Sequence, residues 1–223
     1  MKLLSVLRGI SMKQESLNIE LAKLDRLISA LPELGRKTLI DSRADMYVLD
    51  LIMIAALKRT LSLARGFQAL VISENMTCVR AMIRMQLDTI SRLLAYTYVS
   101  EPSKLAKEVI SGVPLNKFKC RDGHKLQDRY LIEKMAKKYP WVTEVYKYTS
   151  GYVHFSEKQL FDSIKSMGDG SLGKVSFDIR ADDLYFPVES WIEAVSCFNE
   201  MLSILEETLL TYSNEVFYQT KND

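Results

Sequence analysis

Apolar positions recur every three to four residues over most of the 223-residue chain, the spacing of a single stripe along an α-helix. The first stripe runs Leu3, Leu7, Ile10, Leu17, Leu21, Leu24, Ile28 and Leu31, with Gln14 as its polar step, and Pro32 and Gly35 are the expected stop. A second runs Leu49, Met53, Ala56, Thr60, Leu63, Phe67 and Leu70, and ends at Ser73-Glu74-Asn75. A third runs Met76, Val79, Ile83, Leu87, Ile90 and Leu94. Ser100 is the expected cap of a short helix that carries Leu105 and Val109 and closes at Gly112. The last stripe, Trp191, Val195, Phe198, Leu202, Leu205, Leu209, Tyr212 and Val216, predicts about 26 residues of helix, roughly 39 Å long, entered through a Ser190–Glu193 capping box.

Between these stripes the pattern changes. Residues 113–126 have no helical period and read as a loop, whereas Asp128 to Tyr139 is helical again. Pro140 suits the first turn of a helix from Trp141 to about Ser150 that weakens at Gly151. Phe155 to Leu160 spells a capping box, Ser156 with Gln159, inside a hydrophobic staple, Phe155 with Leu160. Lys174 to Arg180 alternates with period two, as a half-buried strand does. Its unpaired backbone groups need a partner strand, either Leu160–Ser166 across the glycine-rich turn 168–173 or Leu184–Phe186. The fold class is therefore mainly α, a helical bundle of long near-antiparallel helices with a small β-hairpin before the C-terminal helix.

Composition changes this picture little. Apolar residues at 48% and charged residues at 26%, with nine glycines and five prolines, fit long regular elements and one domain over residues 1–223. The N-terminal helix, residues 1–34, is a candidate accessory or dimerisation arm, so a homodimer is one expected partner state. Three widely spaced cysteines, Cys78, Cys120 and Cys197, form no disulfide framework, which points to a reducing, cytoplasmic setting. Arg8 and Gly9 interrupt the leading apolar run before it reaches the length of a signal sequence. The most apolar stretch, Met46 to Leu57, is too short for a bilayer, which takes about 20 residues, so no membrane partner is expected.

Net charge is only +2, but from Lys117 to Lys147 nine basic residues face four acidic ones, and from Asp178 to Asp223 ten acidic residues face two basic ones. Two solvated faces that attract each other account for this pattern; an anionic ligand on the basic stretch is the alternative.

Candidate chemistry concentrates in two places. In Tyr146-Lys-Tyr148-Thr-Ser150-Gly-Tyr152-Val-His154-Phe-Ser156, hydroxyls and one imidazole alternate along the chain. If Gly151 ended the helix, Tyr152, His154 and Ser156 would share one face of an extended segment, and hydroxyls orienting an imidazole suit a general base or an anion site, as well as a buried histidine that is merely satisfied. On the third helix Arg80, Arg84, Asp88 and Ser91 form a polar stripe opposite the apolar one. Such arginines either face solvent in a salt-bridge ladder or point into a pocket and hold a carboxylate or phosphate. The basic-aromatic loop Lys117 to Arg121 is a candidate cover for that pocket. Cys78 lies one turn before this stripe and is expected to be core. Cys120 and His124 offer two metal ligands without a second pair elsewhere, so neither a metal nor a cofactor is expected.

With Ser150-Gly-Tyr-Val-His154-Phe-Ser156 preceded by a helix carrying Arg80 and Arg84, the chain resembles a group of bacterial helical proteins and, more loosely, the HEPN-type superfamily of nucleotide- and RNA-linked helical domains. HEPN-type ribonucleases place an arginine four to six residues before the histidine, where this chain has Ser150, Thr149 and Tyr148. The resemblance implies a helical bundle and a dimer.

Three function classes follow. The first is a module that binds an anionic small molecule or nucleotide through Arg80, Arg84, Tyr148, Ser150, Tyr152 and Ser156 with His154. The second is an RNA-directed nuclease or defence component with His154 as the catalytic acid or base. The third is a structural interaction bundle whose polar cluster fixes helix packing, with the acidic C-terminal helix as its partner surface.

Overall fold

The structure, a computed structural model, describes residues 2–41, 45–167, 175–177 and 179–219, with side chains described for 13–41, 45–164, 175–177 and 179–214. Its order is α1 (Lys2–Arg36), a π-helical turn (Lys37–Asp41), α2 (Val48–Ile72), α3 (Met76–Leu94), a 3₁₀ turn (Ala95–Tyr98), α4 (Pro102–Ile110), a second 3₁₀ turn (Leu115–Lys117), α5 (Asp128–Met135), α6 (Val142–Val153), α7 (Glu157–Ser163), strands β1 (Ile164–Met167) and β2 (Val175–Phe177), and α8 (Val188–Gln219). This is the expected mainly α bundle with a small antiparallel hairpin before its last helix. Strand β1 pairs with β2, Ile164 opposite Phe177 and Met167 opposite Val175, so the first of the two candidate partner strands is the one used. The turn 168–173 and the side chains of Leu3, Leu7, Ile10 and Val216 lie outside the described residues.

Helix α8 runs against α1 and α3, and α2 packs on α1 and α3. Phe67 of α2 and Phe198 of α8 stack at the centre with ring centroids 4.1 Å apart, and neither exposes any surface. Three polar bonds, two of them buried and one part-buried, fix which helix meets which. The Tyr212 hydroxyl of α8 donates to Asp50 Oδ1 of α2 (2.9 Å), and Gln86 Nε2 of α3 donates to Thr60 Oγ1 of α2 (3.0 Å). Asn199 Nδ2 of α8 donates to the Glu20 carbonyl of α1 (3.0 Å). A bond of this kind is directional where apolar packing is not, so each one selects a register. The basic and acidic stretches do meet: Lys138 pairs with Glu207 of α8, whose other oxygen accepts from Tyr139 Oη at 2.6 Å.

Four local expectations are corrected. Helix α1 continues through Pro32 to Arg36; burial of Ile28, Leu31 and Leu39 in the common core outweighs the hydrogen bond a mid-helix proline removes. Gly35 is a contact point rather than a stop, since a Cβ there would sit 2.2 Å from Leu57 Cδ2. Helix α8 begins two residues ahead of Ser190, so no capping box forms there. The N-cap of α4 is Glu101, with Pro102 in its first turn, rather than Ser100. Gly112 closes that helix at φ +94°, as expected of a glycine.

No helix of the described residues is long and apolar enough to cross a membrane. Replacing Phe67 with alanine removes the central ring of the core, and a loss of about 3–5 kcal/mol in urea unfolding is expected. A loss below about 1 kcal/mol would show that the α2–α8 stack is not central to stability.

Candidate functional site

Helix α3 is amphipathic in sequence yet buried on two sides. Val79, Ile83, Leu87 and Ile90 enter the core, while Arg80 and Arg84, expected opposite them, are only 7% and 9% exposed. What covers these arginines is α6, whose tyrosines lie across α3. Arg80 is enclosed by three rings, with its guanidinium carbon 4.6 Å from the centroid of Tyr152, 5.2 Å from Tyr148 and 4.5 Å from Phe186. Arg84 lies 3.9 Å from the Tyr146 ring. Stacking of this kind favours arginine over lysine, because the planar guanidinium lies flat on a ring and is weakly hydrated.

Each arginine also has its own carboxylate. Arg80 Nη1 donates to Tyr152 Oη (2.7 Å) and to Asp162 Oδ2 of α7 (2.9 Å). Arg84 pairs with Asp88 one turn along α3, and its Nε lies 3.4 Å from Ser150 Oγ. Burial, reinforced by the hydrogen-bonding interaction with Tyr148, pushes the Tyr152 phenol far above its ordinary range, and the Arg80 charge opposes that only in part. The phenol stays protonated at neutral pH. Arg92, one turn beyond Asp88, takes both oxygens of Asp128 at 2.9 Å.

Helix α6 does not break at Gly151 but continues to Val153, which corrects the extended segment expected there. The Thr149 and Ser150 hydroxyls donate back to the Val145 and Tyr146 carbonyls (2.6 and 2.5 Å), local bonds that fit inside a helix. Gly151 has another role: the turn into α7 crosses it, and a Cβ would lie 2.7 Å from Lys158 Cδ and 2.9 Å from Ser156 Oγ.

Of the candidate residues, Arg80, Arg84, Tyr148, Ser150 and Tyr152 are brought together. Ser156 and His154 are not. Ser156 is the N-cap of α7 and forms the expected capping box with Gln159, and its hydroxyl donates to the Gly151 carbonyl at 3.0 Å. His154 terminates α6 with an exposed side chain, and no hydrogen bond links its ring to either arginine among the described residues. The expected Phe155–Leu160 staple does not form, for Phe155 is 93% exposed. The Lys117–Arg121 loop is not a cover for this cluster. Arg121 binds the Tyr98 and Thr97 carbonyls, at the far end of α3 and about 20 Å along the helix from Arg84.

Beside Arg80 a cavity of 420 Å³ opens between α3, α6 and α8. Met76, Ile83 and Val145 give it an apolar floor, and Tyr148, Glu144 and Glu193 surround its mouth with polar groups. Sequence reasoning missed Glu144, Glu193 and Cys197, because the cavity forms only where α8 passes the α3–α6 pair. Cys197 is a poor nucleophile, since burial, with Glu193 and Glu200 nearby, pushes its thiol up to about 12. Cys78, expected in the core, is exposed. No cluster of three or more metal-ligating side chains occurs among the described residues.

Comparison with protein-family models, with curated proteins and with solved structures gives no match.

Burial pushes the Asp88 carboxyl above its ordinary value of 3.8 and outweighs Arg84, which pulls it down. The folded protein therefore holds this proton more tightly than the unfolded chain does. In the interval just above 3.8 the carboxyl's contribution to stability falls as pH rises. Urea unfolding of wild type and Asp88→Asn at about pH 3.5 and about pH 6 checks the sign. The wild type is expected to lose ground to the variant at the higher pH, and a relative gain there contradicts the assignment.

Proposed function

We propose that this chain is a helical binding module for a small anion of mononucleotide type, seated between α3, α6 and α8 with its phosphate on Arg80. One observation carries the reading: the bonding state of Arg80. Both of its hydrogen bonds leave from Nη1, so its Nε–H and Nη2 donors have no partner among the described residues, although the side chain is nine-tenths buried and lines the 420 Å³ cavity. Neither nitrogen is a fully enclosed atom, so both can be reached from the cavity, and a guanidinium surrounded by three rings needs little reordering to take an oxyanion.

The rest of the lining fits the remainder of such a ligand. Tyr148 is half exposed beside the cavity and offers a ring face on which a base can stack. Glu144 and Glu193 offer acceptors to exocyclic amino groups. Because Asp162 already neutralises much of the Arg80 charge, binding is of moderate affinity and depends on stacking as well as on charge.

A second reading, the structural one, is favoured by the pairing itself: Arg80–Asp162 and Arg84–Asp88 tie α3 to α6 and α7 whether or not a ligand is present. RNA cleavage would rest on His154, whose exposed ring stands apart from both arginines.

Calorimetry with AMP, GMP, CMP and inorganic phosphate, each at up to about 1 mM, tests the proposal. Nucleotide binding is expected to exceed phosphate binding. It should weaken about tenfold or more in Arg80→Lys, which keeps the charge but not the fork, and also in Tyr148→Ala. Absence of heat with all four probes, or unchanged binding in Arg80→Lys with native circular dichroism, leaves only the structural reading.

A further inference from the structure

A second and larger cavity, of 610 Å³, lies elsewhere on the molecule, between α2, α3 and the turn that follows α4. None of the residues read from the sequence as ligand-binding lines it. Its middle is apolar: Ile52 and Ala55 of α2 face Leu93 of α3, with Val109 and Leu115 completing the wall. Gly112, at φ +94°, lets the chain double back from α4 and bring Leu115 into place.

The two ends of this cavity differ. At one end stands Arg59, whose Nε donates to Thr89 Oγ1 at 3.0 Å. That bond ties the guanidinium to α3, and it leaves both terminal nitrogens without a carboxylate partner among the described residues. The other charged groups of the lining are already matched. Asp88 pairs with Arg84, and Arg92 holds Asp128 through two bonds. Arg59 is thus the unmatched charge of the lining, a single planar cation suited to a monoanionic carboxylate rather than to a phosphate dianion.

At the other end lies Tyr96, which is only 5% exposed. Its hydroxyl has no hydrogen-bond partner among the described residues, and burial pushes the phenol up to about 12, so it remains a donor. A buried phenol normally has a partner. The hydroxyl is not a fully enclosed atom lacking a hydrogen-bond partner, as Gln86 Oε1 and Asn199 Oδ1 are. It therefore keeps a little accessible surface, and the open space that Tyr96 lines is this cavity. The distance between the ends follows from helix geometry. Seven residues separate Ile52 from Arg59, and seven separate Thr89 from Tyr96, which sets the axis at about 10 Å.

We propose that this cavity binds an elongated amphipathic carboxylate, with its head group on Arg59, its apolar body between α2 and α3, and a distal acceptor on the Tyr96 hydroxyl. The site is independent of the Arg80 cleft, so either assignment can fail without the other.

Calorimetry of the full chain with sodium octanoate, ω-hydroxyoctanoate and octylammonium tests it. Octanoate is expected to bind with one site per chain, ω-hydroxyoctanoate more tightly, and octylammonium not detectably. Arg59 is exposed, so Arg59→Ala should keep the fold while weakening both carboxylates about tenfold or more. Ala55→Phe, at another exposed position, should fill the cavity and block them. Tyr96→Phe should remove the advantage of ω-hydroxyoctanoate while leaving octanoate binding unchanged. Equal binding of octylammonium, carboxylate binding indifferent to Arg59→Ala and Ala55→Phe, or no binding of either carboxylate would each overturn the proposal.

Discussion

Two arginines one turn apart are buried on the side of α3 that faces away from the core, and most of the molecule's second layer is arranged around that constraint. A guanidinium taken out of water requires both an opposite charge and neighbours for its remaining surface. Here Tyr146, Tyr148 and Tyr152 from α6 and Phe186 from the segment before α8 supply the surface, while Asp162 and Asp88 supply the charge. Helix α6 is consequently positioned by its tyrosines as much as by its apolar residues. Helix α7 lies where its carboxylate can reach Arg80.

The same arrangement leaves an asymmetry between the two arginines. Arg84 is bound from Nε and Nη1 and faces Ser150, Asp88 and Tyr146. Arg80 bonds from Nη1 alone and borders open space. Arg84 is thus tied in from two nitrogens, whereas on the function proposed above the free nitrogens of Arg80 at the cavity take the incoming anion. The Arg59 end of the other cavity works differently, since its guanidinium is exposed and is oriented by a single threonine rather than by stacked rings.

How much of this could be read along the chain depends on the range of the interaction. The long helices were legible because core burial imposes a repeating period: Val79, Ile83, Leu87 and Ile90 go inside as their spacing requires. The Ser156–Gln159 box and the Gly112 closure were legible because both depend on neighbours within a few residues. Long-range packing decided the rest. Pro32 reads as a helix end, yet α1 runs through it because Ile28, Leu31 and Leu39 pack into the common core, and Gly151 lies inside α6 with the Ser156 and Lys158 side chains against it. The convergence of Arg80, Arg84, Tyr148, Ser150 and Tyr152 could be guessed from residue type. That His154 would be left outside could not, since one helical turn more or less at Gly151 decides which way it points. Tyr96 and Arg59 carry no local signal at all; what sets them apart is the cavity formed where the turn after α4 packs beside α2 and α3.

Gly151 shows how indirectly a guanidinium can be held in place. The Ser156 and Lys158 side chains at the start of α7 lie against the bare α-carbon of that glycine, within the space one methyl group would need. Asp162 belongs to that same short helix. Adding a single carbon at position 151 would push aside the Ser156 hydroxyl that caps α7 and the Lys158 side chain, loosening the start of the helix that brings Asp162 to Arg80. The hydrogen that glycine carries in place of a side chain is therefore a silent part of the arginine's setting, three residues before the imidazole that attracts the eye in the sequence.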